Sequence, residues 1–402
     1  MTGIEEYNKL LSQVKDCISF EQFVTLPNDV KLVFMSKLTE DNLNKEYSSL
    51  NSTIKQFISA AKFNKMPKEI QQYLQKVKGK DLKDTQLLYL SKMPWGNSKV
   101  YNRSISEAKN ILNNTHSGMS DVKDRILRYI ACQKRVGSNY GAILLLVGPP
   151  GVGKTSIASA VAEAMGRKFV KIPLAGASDA DFLRGTSSVY SDSKPGRIID
   201  AIIKAENFAP LILLDEIDKM GASEQHGNPE YVLLDILDSD RSSFIDDFLG
   251  IPINLSEVVF IATANSTKNI SPILLDRLEI IKLSGYSKKE KLEIMNKYLI
   301  PKLFKEYSLS NSDLNLTDSI AEYIIDTFTN EPGIRSLEQL LRRIFESIVY
   351  YIDIGYAYNT TLTIIDINII LGKEVSSKMK RSKKTALNKS ISSVKKRDDI
   401  FF

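Results

Sequence analysis

The chain has 402 residues, 43% of them hydrophobic and 25% charged, with a net charge of +6. That length allows two or three domains with buried cores, and no apolar run approaches the roughly 18 residues that a membrane span needs. The two cysteines, Cys17 and Cys132, and the two histidines, His116 and His226, lack the paired spacing of a structural zinc site, and the low cysteine count suits a reducing compartment.

The first residues, Met1-Thr2-Gly3-Ile4-Glu5-Glu6, are acidic where a signal or transit peptide is basic, so a soluble intracellular protein with no membrane contact is expected. Residues 1–53 read as an N-terminal helical region of short helices with polar gaps. Residues 54–98 read as a helical linker. Ile54, Phe57, Ile58 and Ala61 share one helical face, and Ile70, Tyr73, Leu74 and Val77 repeat that spacing after Pro67. Gly79 suits the end of that second helix. Trp95, in the break Pro94-Trp95-Gly96, suits a packing anchor. Two further helices, near Ser106–Leu112 and Ser120–Gln133, lead to the central motif.

That motif is Gly148-Pro149-Pro150-Gly151-Val152-Gly153-Lys154-Thr155, a phosphate loop. The apolar run Ile143-Leu144-Leu145-Leu146-Val147 before it reads as a buried parallel strand, and an alanine-rich helix from Ser156 follows. In that context the glycines let backbone amides turn toward phosphate oxygens, and the helix N-terminus adds its positive dipole end. Lys154 suits the β- and γ-phosphates of ATP, and the Thr155 hydroxyl suits a magnesium ion.

A short strand at Lys168–Pro173 is followed by a polar connection from Gly176 to Lys194 that carries Tyr190. Pro195-Gly196-Arg197 suits the first turn of the next helix. Leu211-Ile212-Leu213-Leu214 is a central strand that ends in Asp215-Glu216, about 60 residues after the phosphate loop. Ligands bind at that edge of a parallel sheet. Asp215 suits orienting Mg2+, and Glu216 suits polarising a water. Asn228-Pro229-Glu230 starts a helix. Val258–Asn265 is another buried strand, and Asn265 suits either holding the water or γ-phosphate or capping the strand end. Arg277 follows in Leu274-Leu275-Asp276-Arg277. Residues 288–352 read as helical, punctuated by Pro301 and Pro332-Gly333, with Arg335 opening an amphipathic helix. Thr360–Ile365 reads as a β-rich stretch, an edge strand before a last short helix.

Residues 375–402 hold nine Lys or Arg against two Asp, a surplus of +7 that leaves the rest of the chain at −1. Composition predicts that residues 374–402 form a basic, disordered tail. A solvated terminus, a contact to nucleic acid and a nuclear-import signal remain open for it.

Several segments together resemble the Lon family of AAA+ ATPases: GPPGVGKTSIASAVAEAMGRKFVKIPL, LLDEIDKMG, VVFIATAN, LLDRLEIIKLSGYS and EPGIRSLEQLLRRI. The lead-in SKMPWGN and the helix SDVKDRILRYIACQK are also similar, so the resemblance covers residues 55–373. It implies an α/β fold: a P-loop AAA+ domain over residues 99–285, a parallel sheet flanked by helices, then a helical lid over 286–373. It implies that the nucleotide is bound by Gly148, Pro149, Pro150, Gly151, Val152, Gly153, Lys154, Thr155, Ser156 and Asp215. Lys154 and Thr155 match Walker A, Asp215 and Glu216 match Walker B, and Asn265 matches sensor 1. Arg277 matches the finger that a neighbouring subunit supplies, Arg335 matches sensor 2, and Tyr190 matches the pore-loop aromatic that holds a threaded polypeptide. Four features differ from the family. His116-Ser117-Gly118 stands where an aromatic-Gly pair is usual, and Ser191 stands where an aliphatic residue follows the pore tyrosine. About 30 residues follow the lid, too few for the family's Ser-Lys peptidase domain, so neither that domain nor the family's N-terminal substrate domain is expected in this sequence.

The resemblance implies a Mg-ATP-driven unfoldase or remodeller, a homo-oligomeric ring, hexameric in the family, acting on polypeptide substrates. Two alternatives stay open: an ATPase subunit serving a separate peptidase chain, and a nucleic-acid-associated ATPase that uses the basic tail.

Overall fold

The computed structural model describes residues 20–28, 30–31, 46–77, 81–136, 143–221, 227–238 and 241–372. The helix end expected at Gly79 and the basic tail of residues 374–402 lie outside the described residues.

Seven strands are present among the described residues: β1 (Ile143–Val147), β2 (Phe169–Pro173), β3 (Leu211–Asp215), β4 (Phe244–Ile245), β5 (Pro252–Ile253), β6 (Val259–Ala264) and β7 (Leu278–Lys282). Five form one sheet in the order β2-β3-β6-β1-β7, while β4 and β5 pair antiparallel as a separate two-residue ribbon. β1 runs parallel to β6 and β7, with Leu145 opposite both Ala262 and Ile280, and β2 runs parallel to β3, with Ile172 opposite Leu214. Every residue of β3 and β6 is buried, and so are Ile143 to Leu146 of β1. Strands covered on both faces read as unbroken apolar runs, which is why these three are visible in the sequence. β7, with Glu279 and Lys282 among its five residues, closes one edge of the sheet and gives no such run.

From β1 inside the sheet the chain crosses to β2 at the far edge. That reversal opens a crevice at the C-terminal end of β1, where a parallel sheet takes its ligand. The helix Lys154–Ala164 begins there, capped by Gly153 in the left-handed region at φ 89°.

The chain falls into two compact units. One holds the described residues within 100–176, 211–220 and 260–372, and thus the phosphate loop, most of the sheet and the lid. Its lid is built from the helices Lys288–Ile294, Ile300–Glu306, Asp318–Phe328, Arg335–Asp353 and Ile364–Leu371. Leu337, Leu341, Ile344, Phe345 and Ile348 give the helix Arg335–Asp353 one buried stripe. Pro301 does not break its helical run. A π-helical turn over Met295–Leu299 precedes it and widens the ladder where proline removes a donor.

The other unit holds the described residues within 20–99, 177–210 and 221–259. Here Trp95 is an anchor: its ring lies 5.2 Å from that of Phe208, and its Nε1–H donates to Leu90 O at 2.8 Å. Gln86 Nε2 donates to Phe248 O at 2.6 Å. Tyr190 sits in a segment closed at its base by a bridge between Gly185 and Pro195, and both Tyr190 and Val189 are exposed. Asp246, fully buried, accepts the amides of Gly196, Phe248 and Leu249 at 2.8, 3.1 and 2.9 Å and ties that base to the β4 and β5 ribbon.

Three sequence expectations need correction. The helical face from Ile54 to Ala61 belongs to two short helices, Ser52–Phe57 and Ala60–Phe63, because Ile58 and Ser59 are extended. Pro195 precedes the helix Arg197–Ala205, whose cap is Gly196, rather than entering its first turn. Thr360–Ile365 is not a strand. Thr361 makes one isolated bridge to Asn315, and the capping box of Thr363 with Asp366 starts a helix at Ile364.

Candidate functional site

The phosphate loop turns because two of its glycines occupy φ values closed to other residues, +79° at Gly151 and +89° at Gly153. Lys154, in the first turn of the following helix, folds back and is buried. Its Nζ donates to Gly148 O at 2.5 Å, to Pro149 O at 2.9 Å and to Asn265 Oδ1 at 2.9 Å. Burial lowers its pKa, and the nearby carboxylates of Asp218, Asp215 and Glu216 pull the other way.

Asp215 ends β3 beside this lysine. Its Oδ1 accepts from Thr263 Oγ1 on β6 at 2.5 Å and lies 3.4 Å from Thr155 Oγ1, while its Oδ2 pairs with Lys171 Nζ of β2 at 2.5 Å. Glu216 leaves the strand in the left-handed region at φ 61°, which turns its side chain out of the β pattern. Its amide donates to Thr263 Oγ1 at 2.9 Å, and its carboxylate pairs with Lys219 Nζ at 2.8 Å. Both acidic groups thus carry a lysine partner, and both lean on one buried threonine.

These residues line one cavity of about 460 Å³ together with Pro150, Gly151, Gly153, Ser156 and Arg335. The lid closes it with Tyr286, Ile294, Tyr298, Leu299 and Lys302, and the junction between the helices Ile105–Thr115 and Ser120–Val136 contributes Thr115, His116 and Ser117. His116 is locked: Nε2 lies 2.8 Å from Ser156 Oγ and Nδ1 lies 3.0 Å from Thr115 Oγ1. Burial, and then the charge of Lys123, push its pKa down to about 4. Ser117 hydroxyl donates to Glu293 of the lid at 3.1 Å.

A hard divalent cation such as magnesium takes oxygen ligands and keeps few protein ones. The Thr155 hydroxyl and the Asp215 carboxylate, 3.4 Å apart at the mouth of the phosphate loop, fit that demand. Lys171 on the other carboxylate oxygen shows that the position attracts positive charge.

Lys154, Thr155, Ser156, Asp215, Glu216, Asn265 and Arg335 therefore converge on a single cavity. Arg277 does not line it. It follows the short helix Pro272–Leu275 and faces outward. Tyr190 belongs to the other compact unit. Sequence reasoning missed Thr263 and Asp218. Asp218 accepts the amides of Asn265 and Ser266 at 3.0 and 3.2 Å and so fixes the end of β6. Its signal was present in Asp215-Glu216-Ile217-Asp218, where the last acid sits one short turn after the first pair. Thr263 gave no signal, because its importance depends on β6 lying next to β3.

Residues 144–286 match the family described as "ATPase family associated with various cellular activities (AAA)", and residues 305–355 match the "Lon protease AAA+ ATPase lid domain". The chain is 43% identical over 258 residues to a Lon protease of Finegoldia magna, an overlap of 64% of this chain and 33% of that protein. It is 42% identical over 258 residues to the mitochondrial Lon protease homolog of Saccharomyces cerevisiae, covering 64% of this chain and 23% of the relative. A Lon protease of Malacoplasma penetrans is 42% identical over 281 residues, 70% of this chain and 36% of the relative. The chain thus spans about a quarter to a third of the length of the curated relatives it matches. With its parallel sheet, its phosphate loop and its helical lid, the matched part of the chain is a Lon-family AAA+ module: an AAA domain followed by a Lon lid.

Proposed function

We propose that this chain binds and hydrolyses Mg-ATP in the cavity at the end of β1, within an oligomeric ring that moves a polypeptide. The observation that carries the reading is the meeting of three strand ends at Lys154-Thr155, where the phosphate loop that follows β1 enters its helix. Lys154 bonds to Asn265, just after β6, while Asp215, the last residue of β3, faces Thr155.

Loop amides at Gly151 to Thr155 bind phosphate oxygens, and Lys154 exchanges its loop carbonyls for the β- and γ-phosphates. Thr155 and Asp215 would hold a magnesium ion, which when bound would neutralise the developing charge on the phosphates. Glu216 polarises the attacking water once Lys219 releases it, and Asn265 fixes the line of attack. Arg335 reaches the transferring phosphoryl group from the lid. Arg277, turned outward, serves the site of the next subunit, and such fingers contribute roughly 10³–10⁵ in rate. A head-to-tail closed ring is the geometry that supplies every site with a neighbour's arginine. Lid movement in each nucleotide state then displaces the Val189-Tyr190 tips along a threaded chain.

Glu216→Gln tests the chemistry. It should abolish ATP turnover and leave ATP binding within a fewfold of wild type, whereas Lys154→Ala should abolish binding itself. Turnover that survives Glu216→Gln removes this carboxylate from the mechanism.

A further inference from the structure

A phosphate loop has two faces. Peptides that turn their N–H groups toward a phosphate turn their C=O groups the other way, and those carbonyls need donors. Lys154 covers Gly148 O and Pro149 O. Two later carbonyls of the loop, those of Gly151 and Val152, are covered from the lid. Gly151 O accepts from the Ile334 amide at 3.1 Å, and Val152 O accepts from the Tyr286 hydroxyl at 2.9 Å.

The two lid donors are held as one piece. Tyr286 N–H donates to Pro332 O at 2.8 Å, and Gly285 packs so closely on Pro332 that a Cβ there would lie 2.6 Å from the proline Cβ. Lys291 Nζ adds a bond to Glu331 O at 2.5 Å. The clasp reaches the loop because both surfaces lack side chains. A Cβ on Gly333 would fall 2.5 Å from Gly151 C and 2.6 Å from Pro150 O, and a Cβ on Gly151 would meet the Arg335 amide at 3.2 Å. The Tyr286 hydroxyl is itself kept as a donor, since burial pushes its pKa up to about 12.

We infer that Tyr286 is a positioning residue for nucleotide binding: its hydroxyl, with the Ile334 amide seated by the Gly333–Gly151 contact, holds the phosphate-loop carbonyls outward so that the amides face a nucleoside di- or triphosphate. The inference rests on the reading of this cavity as a nucleotide site. It makes the lid part of the phosphate site as well as its cover. Lid movement then changes phosphate affinity directly, without passing through Arg335.

The test uses the full chain, with a fluorescent ADP analogue and Mg2+ as the probe. Tyr286→Phe removes one hydroxyl and keeps the ring. It should raise the dissociation constant about fivefold, the size of one hydrogen bond, and raise KM for ATP by more than it lowers kcat. The melting temperature without nucleotide should stay within about 2 °C of wild type, because a net effect of that size is small for a domain this long. Gly333→Ala should weaken binding at least as much. An unchanged dissociation constant in Tyr286→Phe overturns the inference, whether or not the melting temperature falls, since a fall would mark a merely structural bond. If the wild-type chain binds no ADP analogue, the nucleotide reading itself falls, and the clasp with it.

Discussion

His116 shows how much one side chain can be committed to a single protonation state. Both ring nitrogens are engaged by hydroxyls, and burial beside Lys123 lowers its pKa from 6.5 to about 4. A folded state that refuses a proton which the unfolded state accepts loses stability as pH falls from the unfolded pKa to the folded one. The His116 contribution is therefore complete above pH 6.5 and is lost between there and about pH 4. A shift of that size corresponds to at most about 3 kcal/mol. Asp246 works in the opposite sense. Burial raises its pKa from 3.8 to about 6, so its contribution falls as pH rises through that window. The informative quantity is thus the difference between wild type and His116→Gln. Denaturant unfolding at pH 4.5 and 6.5 should show a steeper loss in wild type by about 1–3 kcal/mol; parallel pH profiles would contradict the assignment.

At the scale of elements, the structure explains which parts of the sequence could be read. β1, β3 and β6 announced themselves because burial on both faces leaves apolar residues, Thr263 excepted, until the strand ends at Val147, Asp215 and Ala264. The residues that carry chemistry sit at those ends, so most of the cavity was legible along with the strands. What stayed hidden depends on neighbours that sequence order does not reveal. Thr263 matters only because β6 lies beside β3, and Tyr286 only because the lid folds over Val152. The break at Ile58-Ser59 was missed because the apolar spacing continues across two helices that share a buried side. Asp246 is a third case: a carboxylate in an unremarkable loop that holds the base of the Tyr190 segment through the Gly196 amide and turns its own loop through the amides of Phe248 and Leu249. Asp246→Ala should leave those donors unpaired at roughly 1–3 kcal/mol each. Hydrogen exchange over residues 185–196 should then rise at least tenfold, and unchanged exchange would show that the segment is held by other contacts.

At the scale of the whole molecule, the AAA domain and Lon lid account for the sheet, the crevice and the helical cover, and they place the cavity residues on one compact unit. Arg277 is the exception. It is exposed at the end of Pro272–Leu275 and outside the cavity, which suits a residue that acts on a neighbour's nucleotide. If Arg277 acts on a neighbour's nucleotide as proposed, assembly is a condition for turnover, because the cavity of a single chain does not contain that arginine.

The most direct test is complementation between two inactive variants. Arg277→Ala keeps Glu216 but offers no finger, and Glu216→Gln offers a finger but cannot activate water. Each alone should have little ATPase activity. Mixed at concentrations that let subunits exchange, they should recover a substantial fraction of the wild-type rate, and the wild-type rate per chain should itself rise cooperatively with concentration. A mixture that stays as inactive as its parts, with a wild-type rate per chain independent of concentration, would contradict a site completed in trans.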